Sequence, residues 1–181
     1  MTTPAQFSEA RNRAAALFAQ TGVSLRSPEQ INVTDFGLGD LEHVGLEIVT
    51  HIDADRYCVK EIVAFPRQSC PQHIHPRVND EPGKEETFHC RWGSMWLYVV
   101  GEPTPEIHAR VPQVSEQYYT VFHEIPLGPG DQYTVKPNTL HWLQAGDEGA
   151  VFMEFCSASR DAYDVFTDPR VRREPATYAE D

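Results

Sequence analysis

Most of this chain is a succession of short runs rich in β-branched and aromatic residues, beginning at Gly45. Turn-forming groups such as Gly101–Pro105 and Gly128-Pro129-Gly130 separate the runs. Many short strands at regular intervals are typical of a β-sandwich or a small β-barrel, so we expect an all-β fold. The candidate strands are Gly45–His51, Tyr57–Phe65, Gln72–His75, Glu86–Arg91, Met95–Val99, Glu106–Val111, Tyr118–Ile125, Asp131–Val135, His141–Gln144 and Val151–Phe155.

The amino-terminal residues have a different pattern, which predicts a helix over Pro4–Gln20. Thr3 can cap this helix, Pro4 suits its first position, and Gln6 completes a capping box. Apolar residues then recur at spacings of three and four, forming a stripe that we expect to pack on the body of the protein. We therefore expect one domain over residues 1–181, with a helical arm over 1–22 and a barrel over about 40–172.

Composition excludes several classes of protein. With 181 residues, 40% of them hydrophobic, the chain can bury a proper core. Its formal charge of -12 would repel a phosphate backbone, so we expect no nucleic-acid partner. No apolar run approaches the roughly 20 residues of a membrane-spanning helix. The start of the chain lacks a signal-peptide pattern, which predicts a cytoplasmic protein.

The four cysteines lie far apart and include no C-x-x-C pair. We expect them to be reduced and mostly buried, because thiols stay reduced in the cytoplasm. Their spacing also argues against a zinc site built from thiolates.

Four residues have the composition of a metal site: His73, His75, Glu86 and His141. In a strand, residues two apart point to the same face, so His73 and His75 can present both imidazoles together. Three imidazoles and one carboxylate suit a first-row divalent ion, with manganese, iron, cobalt, nickel and zinc all chemically acceptable. The alternative is that the histidines are ordinary polar residues on a strand.

The spacing of these residues resembles the two motifs of the cupin superfamily, whose jelly-roll barrel holds a metal on three histidines and one glutamate. Glu86 is followed seven residues later by Gly93, and Gly130 precedes His141 by eleven. The sequence departs from the motifs in several places: Arg67 and Asn138 each replace a glycine, Ala145 replaces an asparagine, and Pro137 lies one place late. The gap from His75 to Glu86 is also long. Asn tolerates the left-handed backbone that glycine would supply. The resemblance implies a cupin jelly-roll barrel.

A narrower resemblance, over roughly residues 40–172, is to the D-lyxose isomerase family of cupins. It rests on the segment Cys70–Pro76, which reads CPQHIHP, and on Asn79–Phe88, which reads NDEPGKEETF. Members of that family interconvert an aldose and its ketose using manganese. The resemblance implies Mn²⁺ on His73, His75, Glu86 and His141, and a free sugar such as D-lyxose or D-mannose as substrate.

The same resemblance implies that Lys84 is a catalytic lysine and Glu154 a second acid–base residue. Proton transfer from C2 to C1 through an enediol needs a carbon base, for which Glu154 is the candidate. A metal-assisted hydride shift would use the same ligands without that base. An acid at Asp161 or Asp164 is a further candidate helper, and Arg91, Trp96 and Tyr98 are either pocket residues or core and dimer contacts.

Two other functions are compatible with the ligand set. A cupin dioxygenase would use Fe(II) and O₂ at the same four ligands. A sugar-binding cupin without catalysis would need the site to be vestigial. Phosphosugars are disfavoured because the sequence shows no glycine-rich phosphate loop, although Arg67, Arg77 and Arg91 could converge in space. Because cupins commonly form dimers, we also expect this protein to be a homodimer.

Overall fold

The computed structural model describes residues 1–172. The rest of the range predicted as one domain, residues 173–181, lies outside the described part. One helix, α1 (Pro4–Gln20), precedes the strands. The strands are β1 (Asn32–Thr34), β2 (Leu46–Asp53), β3 (Tyr57–Ala64), β4 (Ser69–Ile74), β5 (Glu86–Val99), β6 (His123–Leu127), β7 (Gln132–Val135), β8 (His141–Ser157) and β9 (Val165–Phe166).

Helix α1 has the predicted bounds and the predicted capping box. Thr3 Oγ1 accepts from the backbone N–H of Gln6 at 3.3 Å, and Gln6 Oε1 accepts from the backbone N–H of Thr3 at 2.8 Å. The apolar stripe of the helix packs on the outer side of the sheet, in a cluster that includes Val49 and Val63. Its buried members are Phe7, Ala10, Ala14 and Phe18.

The sheet curls because its two longest strands bend and pair on both sides of the bend. The first part of β8 pairs with β4 and with the end of β5, and its last part pairs with β3 and with the start of β5. All these pairs are antiparallel, which confirms the all-β prediction with one helix. The main apolar core fills the interior of the curled sheet, between Phe88 and Phe152 at one level and Leu97 and Leu143 at another.

Two pairs of predicted strands are in fact single strands. Gly93 and Gly149 have the residue type of a turn that would separate the predicted strands, yet they face each other where β5 and β8 bend. Both have positive φ, and a Cβ on Gly93 would lie 2.0 Å from the carbonyl oxygen of Gly149. The glycines therefore permit a sharp bend at close approach instead of ending the strands.

The predicted strand at Glu106–Val111 is wrong. The backbone N–H groups of His108, Ala109 and Arg110 donate to side chains: Glu124 Oε2, Tyr98 Oη and Gln144 Oε1, respectively. Three consecutive backbone donors of this segment are thus satisfied without a ladder, and the β-like composition does not produce a strand.

The next predicted strand, Tyr118–Ile125, is displaced along the chain. A 3-10 helix covers Gln113–Tyr118, and β6 begins only at His123. Conversely, β1 and β9 are short strands where none was expected, and β1 extends the sheet to residues before 40. All four cysteines are free and buried, as predicted.

Candidate metal centre and active site

Four side chains from three strand ends meet inside the barrel. His73 lies near the end of β4 and His75 one residue past it, while Glu86 and His141 are the first residues of β5 and β8. His73 pairs in register with His141, which brings both imidazoles to the same place. One ligand atom from each of the four lies within 4.8 Å of the others, and all four side chains are buried.

The hydrogen bonds of the histidines fix which ring nitrogen faces the centre. His73 Nδ1 donates to the carbonyl oxygen of Pro71, and His141 Nδ1 to that of Thr139, each at 2.8 Å. A carbonyl oxygen can only accept, so each Nδ1 carries a proton, and Nε2 is the ring nitrogen that each of these two histidines turns towards the centre.

The remaining histidine is oriented by a carboxylate. His75 Nδ1 lies 2.5 Å from Asp164 Oδ1. Asp164 follows the 3-10 turn Asp161–Tyr163, which comes after β8. A carboxylate behind a histidine is the usual support of a metal-ligating imidazole, because it fixes the ring and raises its basicity.

Glu86 is the acceptor at which the cluster converges. Its Oε1 lies 3.0 Å from His75 Nε2 and 2.9 Å from His141 Nε2, and its Oε2 lies 2.9 Å from Lys84 Nζ. Burial opposes ionisation of Glu86, but the charges of Lys84 and His75 and the histidine hydrogen bonds outweigh it and hold the pKa of Glu86 well below its usual range. Glu86 is therefore a carboxylate.

These donors fit a first-row divalent ion. Three imidazole rings with fixed orientations and one ionised carboxylate converge in a buried pocket, and each ring has a hydrogen-bond partner on the side away from the centre. Four protein ligands leave two positions of an octahedral ion for a substrate. Each of the four predicted residues lies at this centre.

Lys84 and Glu154, the predicted acid–base residues, lie beside the centre. Lys84 is only 2% exposed, and its Nζ lies 3.0 Å from Asp161 Oδ1 and 3.5 Å from Glu154 Oε1. Lys84 is therefore not an exposed loop lysine paired with its neighbour Glu85, which contacts Lys136 instead. Gly83 permits this arrangement, because a Cβ there would lie 2.0 Å from the carbonyl oxygen of His75.

Lys60 is a functional candidate that the sequence analysis missed. This buried residue of β3 donates to Glu154 Oε1 at 3.1 Å and to Asp161 Oδ2 at 2.8 Å. Two ammonium groups and two carboxylates thus form a network in which Asp161 gives one oxygen to each lysine. The sequence does contain a signal for Lys60. It alternates with Cys58 and Ile62 in a predicted strand, so it occupies a position that faces the interior of the barrel.

The proposed pocket residues Arg91, Trp96 and Tyr98 lie elsewhere. Arg91 Nη1 donates to Glu61 at 2.6 Å, while Trp96 stacks on His108 and Tyr98 on Trp142. These contacts favour core or surface roles for the three residues over a role in the pocket.

A cavity adjoins the cluster and has a mixed lining. Its charged and polar-ring residues are His73, Lys84, Glu86, His141 and Glu154. The others are Leu46, Ile48, Ile62, Cys70, Phe88, Trp142, Leu143 and Phe152. The polar groups of the cluster therefore adjoin an apolar wall.

Solved structures share this architecture. The L-ribose isomerase of Acinetobacter sp. DL28 in complex with L-ribose superposes with a TM-score of 0.78 at 17% identity, over 94% of each chain. The ligand-free L-ribose isomerase of Cellulomonas parahominis gives 0.79 at 16% identity, over 96% of each chain. At this identity the likeness shows the fold alone. The likeness supports the predicted fold class, an all-β barrel with an amino-terminal helix.

Curated relatives identify the family more closely. The D-lyxose ketol-isomerase of Cohnella laeviribosi is 53% identical over 178 residues, which are 97% of this chain and 98% of the relative. The D-lyxose/D-mannose isomerase of Thermosediminibacter oceani is 57% identical over 157 residues, 87% of each chain. No family model matches the sequence. The chain belongs to the D-lyxose ketol-isomerase family.

Proposed function

We propose that the protein is a metal-dependent aldose–ketose isomerase of free sugars, converting D-lyxose to D-xylulose and D-mannose to D-fructose. The observation that carries the proposal is the buried cluster of four potential ligands with Lys84 and Glu154 beside it, in a chain of this family. Both sugars are those in the names of its relatives.

The metal proposed for His73, His75, Glu86 and His141 is Mn²⁺, with Co²⁺, Fe²⁺, Ni²⁺ and Zn²⁺ compatible with the same donors. A bound ion would polarise the sugar carbonyl and hold O1 and O2 in register. Asp164 keeps His75 oriented towards that position, and the backbone carbonyls of Pro71 and Thr139 do the same for His73 and His141.

Glu154 is the proposed carbon base. Its carboxylate removes the proton from C2, and the conjugate acid returns it to C1 through an enediol. Lys60 donates to the Oε1 atom of Glu154 and fixes the carboxylate in the barrel wall. Lys84 is positioned to move a proton to or from the sugar oxygens, because its ammonium lies between Glu86, Glu154 and Asp161.

The alternatives receive less support. The family consists of proteins named as isomerases, and a buried network of lysines and carboxylates suits proton transfer better than an oxygenase. A phosphosugar is disfavoured because Arg67, Arg77 and Arg91 contact Asp147, the backbone of Asp80, and Glu61. These three guanidinium groups thus have separate partners.

A homodimer and a cytoplasmic location are part of the same proposal. The apolar stripe of α1 packs on the sheet of its own chain and is not available to a second copy. Ile52, Val59 and Phe155 are cross-strand neighbours on the outer side of the sheet, and Ile52 and Phe155 are exposed. Light scattering at several protein concentrations tests the dimer.

Within residues 1–172, no helix is long and apolar enough to cross a membrane.

The activity is tested by ketose formation from a panel of free aldoses, including D-lyxose and D-mannose, using chelator-treated protein with and without Mn(II). Metal-dependent ketose supports the proposal. No ketose from any sugar, with metal bound, would contradict it, and oxygen uptake on the same samples would then test the dioxygenase.

A further inference from the structure

A network of charged side chains connects the interior of the barrel with its surface. Glu154 and Lys60 lie opposite each other in the register of β8 and β3, and Lys60 Nζ donates to Glu154 Oε1 at 3.1 Å. The same ammonium donates to Asp161 Oδ2 at 2.8 Å. Lys60 therefore stands directly between two carboxylates, that of Glu154 in the barrel wall and that of Asp161 in the turn after β8.

Exposure to solvent differs along this network. The side chains of Lys60 and Glu154 are 5% and 8% exposed, whereas the side chain of Asp161 is 27% exposed. Asp161 begins the turn Asp161–Tyr163, in which no residue is buried. Of these three groups, the carboxylate of Asp161 is thus the one that bulk water reaches most readily.

The other route by which water could reach Glu154 is the cavity beside the ligand cluster. Glu154 lines this cavity together with Lys84 and Glu86, but the cavity has room for only about one water molecule. A single water molecule does not connect Glu154 to bulk solvent. A proton held by Glu154 therefore leaves most directly through the hydrogen bonds of its own carboxylate.

We propose that Asp161 is the residue through which the proton on Glu154 exchanges with solvent during turnover. The inference rests on the proposed function, and Asp161 acts in it through Lys60 and not on the sugar. Once Glu154 has taken the C2 proton, it passes a proton to Lys60 while Lys60 passes one of its own to Asp161. Asp161 exchanges that proton with water, and the reverse transfers bring a proton back to Glu154. Charge is conserved at each step, and water is the only other reactant.

The residue types suit this transfer. A carboxylate can take up the proton that an ammonium group releases, and an ammonium group that donates to two carboxylates can pass a proton from one to the other. An amide in place of Asp161 keeps a similar shape but does not take up that proton. A guanidinium in place of Lys60 keeps the charge and the donors but does not release a proton. Asp161→Asn and Lys60→Arg should therefore both interrupt the transfer.

The test follows the hydrogen at C1 of D-xylulose when the manganese-loaded protein converts D-lyxose in D₂O. NMR of the product gives the ratio of solvent deuterium at C1 to hydrogen retained from C2. We expect this ratio to fall several-fold in Asp161→Asn and in Lys60→Arg. Asp161→Glu keeps a carboxylate and should restore much of the ratio, and Asp55→Asn, in an exposed turn, is the matched control.

This ratio separates proton exchange from a structural role of Asp161. If Asp161 only held the lysines in place, its loss would lower kcat with the ratio unchanged, or would admit water and raise the ratio. Either result for Asp161→Asn would overturn the inference. A fall in Asp161→Asn without a fall in active Lys60→Arg would exclude the route through Lys60.

Two further results bear on the unmodified protein. Complete retention of the C2 hydrogen at C1 would contradict the inference, because no proton would then reach solvent, while the protein would remain an isomerase. Absence of D-xylulose with Mn²⁺ bound would contradict the proposed function itself.

Discussion

Lys84 is a lysine whose local sequence suggests a surface loop, although its ammonium lies inside the barrel. It contacts Glu86 at 2.9 Å and Asp161 at 3.0 Å, and these carboxylates offset the cost of burying its charge. The tertiary structure, and not the sequence neighbourhood, therefore determines what this side chain can do.

Replacing Lys84 by Met tests its proposed role in proton transfer. We expect kcat to fall by about 100-fold or more while the metal content stays near that of the unmodified protein, since Lys84 is not a ligand. Lys136→Met is the matched control, because Lys136 is an exposed lysine paired with Glu85. Retained turnover in Lys84→Met would contradict the role.

Asp164 is expected to act on metal affinity through His75. Asp164→Ala removes the carboxylate that lies 2.5 Å from His75 Nδ1, and we expect Mn²⁺ affinity to fall about 10- to 100-fold. Titration of the chelator-treated protein with Mn²⁺, followed by electron paramagnetic resonance, measures this. Asp55→Ala, in an exposed turn, is the control. Equal affinities in the two variants would exclude Asp164 as a support of the site.

At the scale of elements, the contact between α1 and the sheet contains a buried acid. Glu47 of β2 is fully buried, and its Oε2 has no hydrogen-bond partner among residues 1–172. Burial raises the pKa of Glu47 from 4.5 to about 8, against the smaller opposing effects of the Gln68 hydrogen bond and the charge of Arg13 on α1.

This shift predicts a pH dependence of stability. Between the unfolded and the folded pKa, the native state holds a proton that the unfolded state has released, so stability falls as pH rises from about 4.5 to about 8. The Gln side chain in Glu47→Gln cannot ionise. Over that pH range the free energy of unfolding of this variant should therefore fall by about 1–3 kcal/mol less than that of the unmodified protein. Urea unfolding at pH 5 and pH 8.5 measures the difference, with the exposed Glu42→Gln as control. Parallel pH profiles for Glu47→Gln and the unmodified protein would contradict the account.

The elements differ in how well the sequence predicts them. Helix α1 was predictable to the residue because its start is encoded by Thr3 and Gln6, which bond to each other locally. The bends in β5 and β8 were not, since Gly93 signals a turn unless its partner Gly149 is known to lie across from it. The strand predicted over residues 106–111 is wrong for a similar reason: backbone N–H groups in this segment donate to side chains from distant parts of the chain.

The same distinction applies to the site. The ligand candidates share motif spacings, so sequence alone could single them out. Lys60 could not be assigned in that way, because its partners Glu154 and Asp161 lie 94 and 101 residues further along and meet it only through sheet register. Asp161 and Asp164 were both candidates, and their different partners separate them: Asp161 contacts lysines, whereas Asp164 contacts a ligand candidate.

For the whole molecule, the centre joins three strands that are distant in sequence, so a bound ion should stabilise the native state. Mn²⁺ at 100 times its dissociation constant adds about 2.7 kcal/mol, because the unfolded chain does not assemble the four donors. Calorimetry with and without Mn²⁺ should show a higher Tm for the loaded protein, and His141→Ala should abolish the increase. The same increase in His141→Ala would place the ion elsewhere.

The central claim is that this barrel moves a proton between C1 and C2 of a free aldose. It is tested most directly by incubating the manganese-loaded protein with D-lyxose in D₂O and following the products by NMR. The account predicts D-xylulose, with solvent deuterium at C1 in the fraction of turnovers in which the proton held by Glu154 exchanges before it is returned. Formation of no D-xylulose, with Mn²⁺ bound, would contradict it.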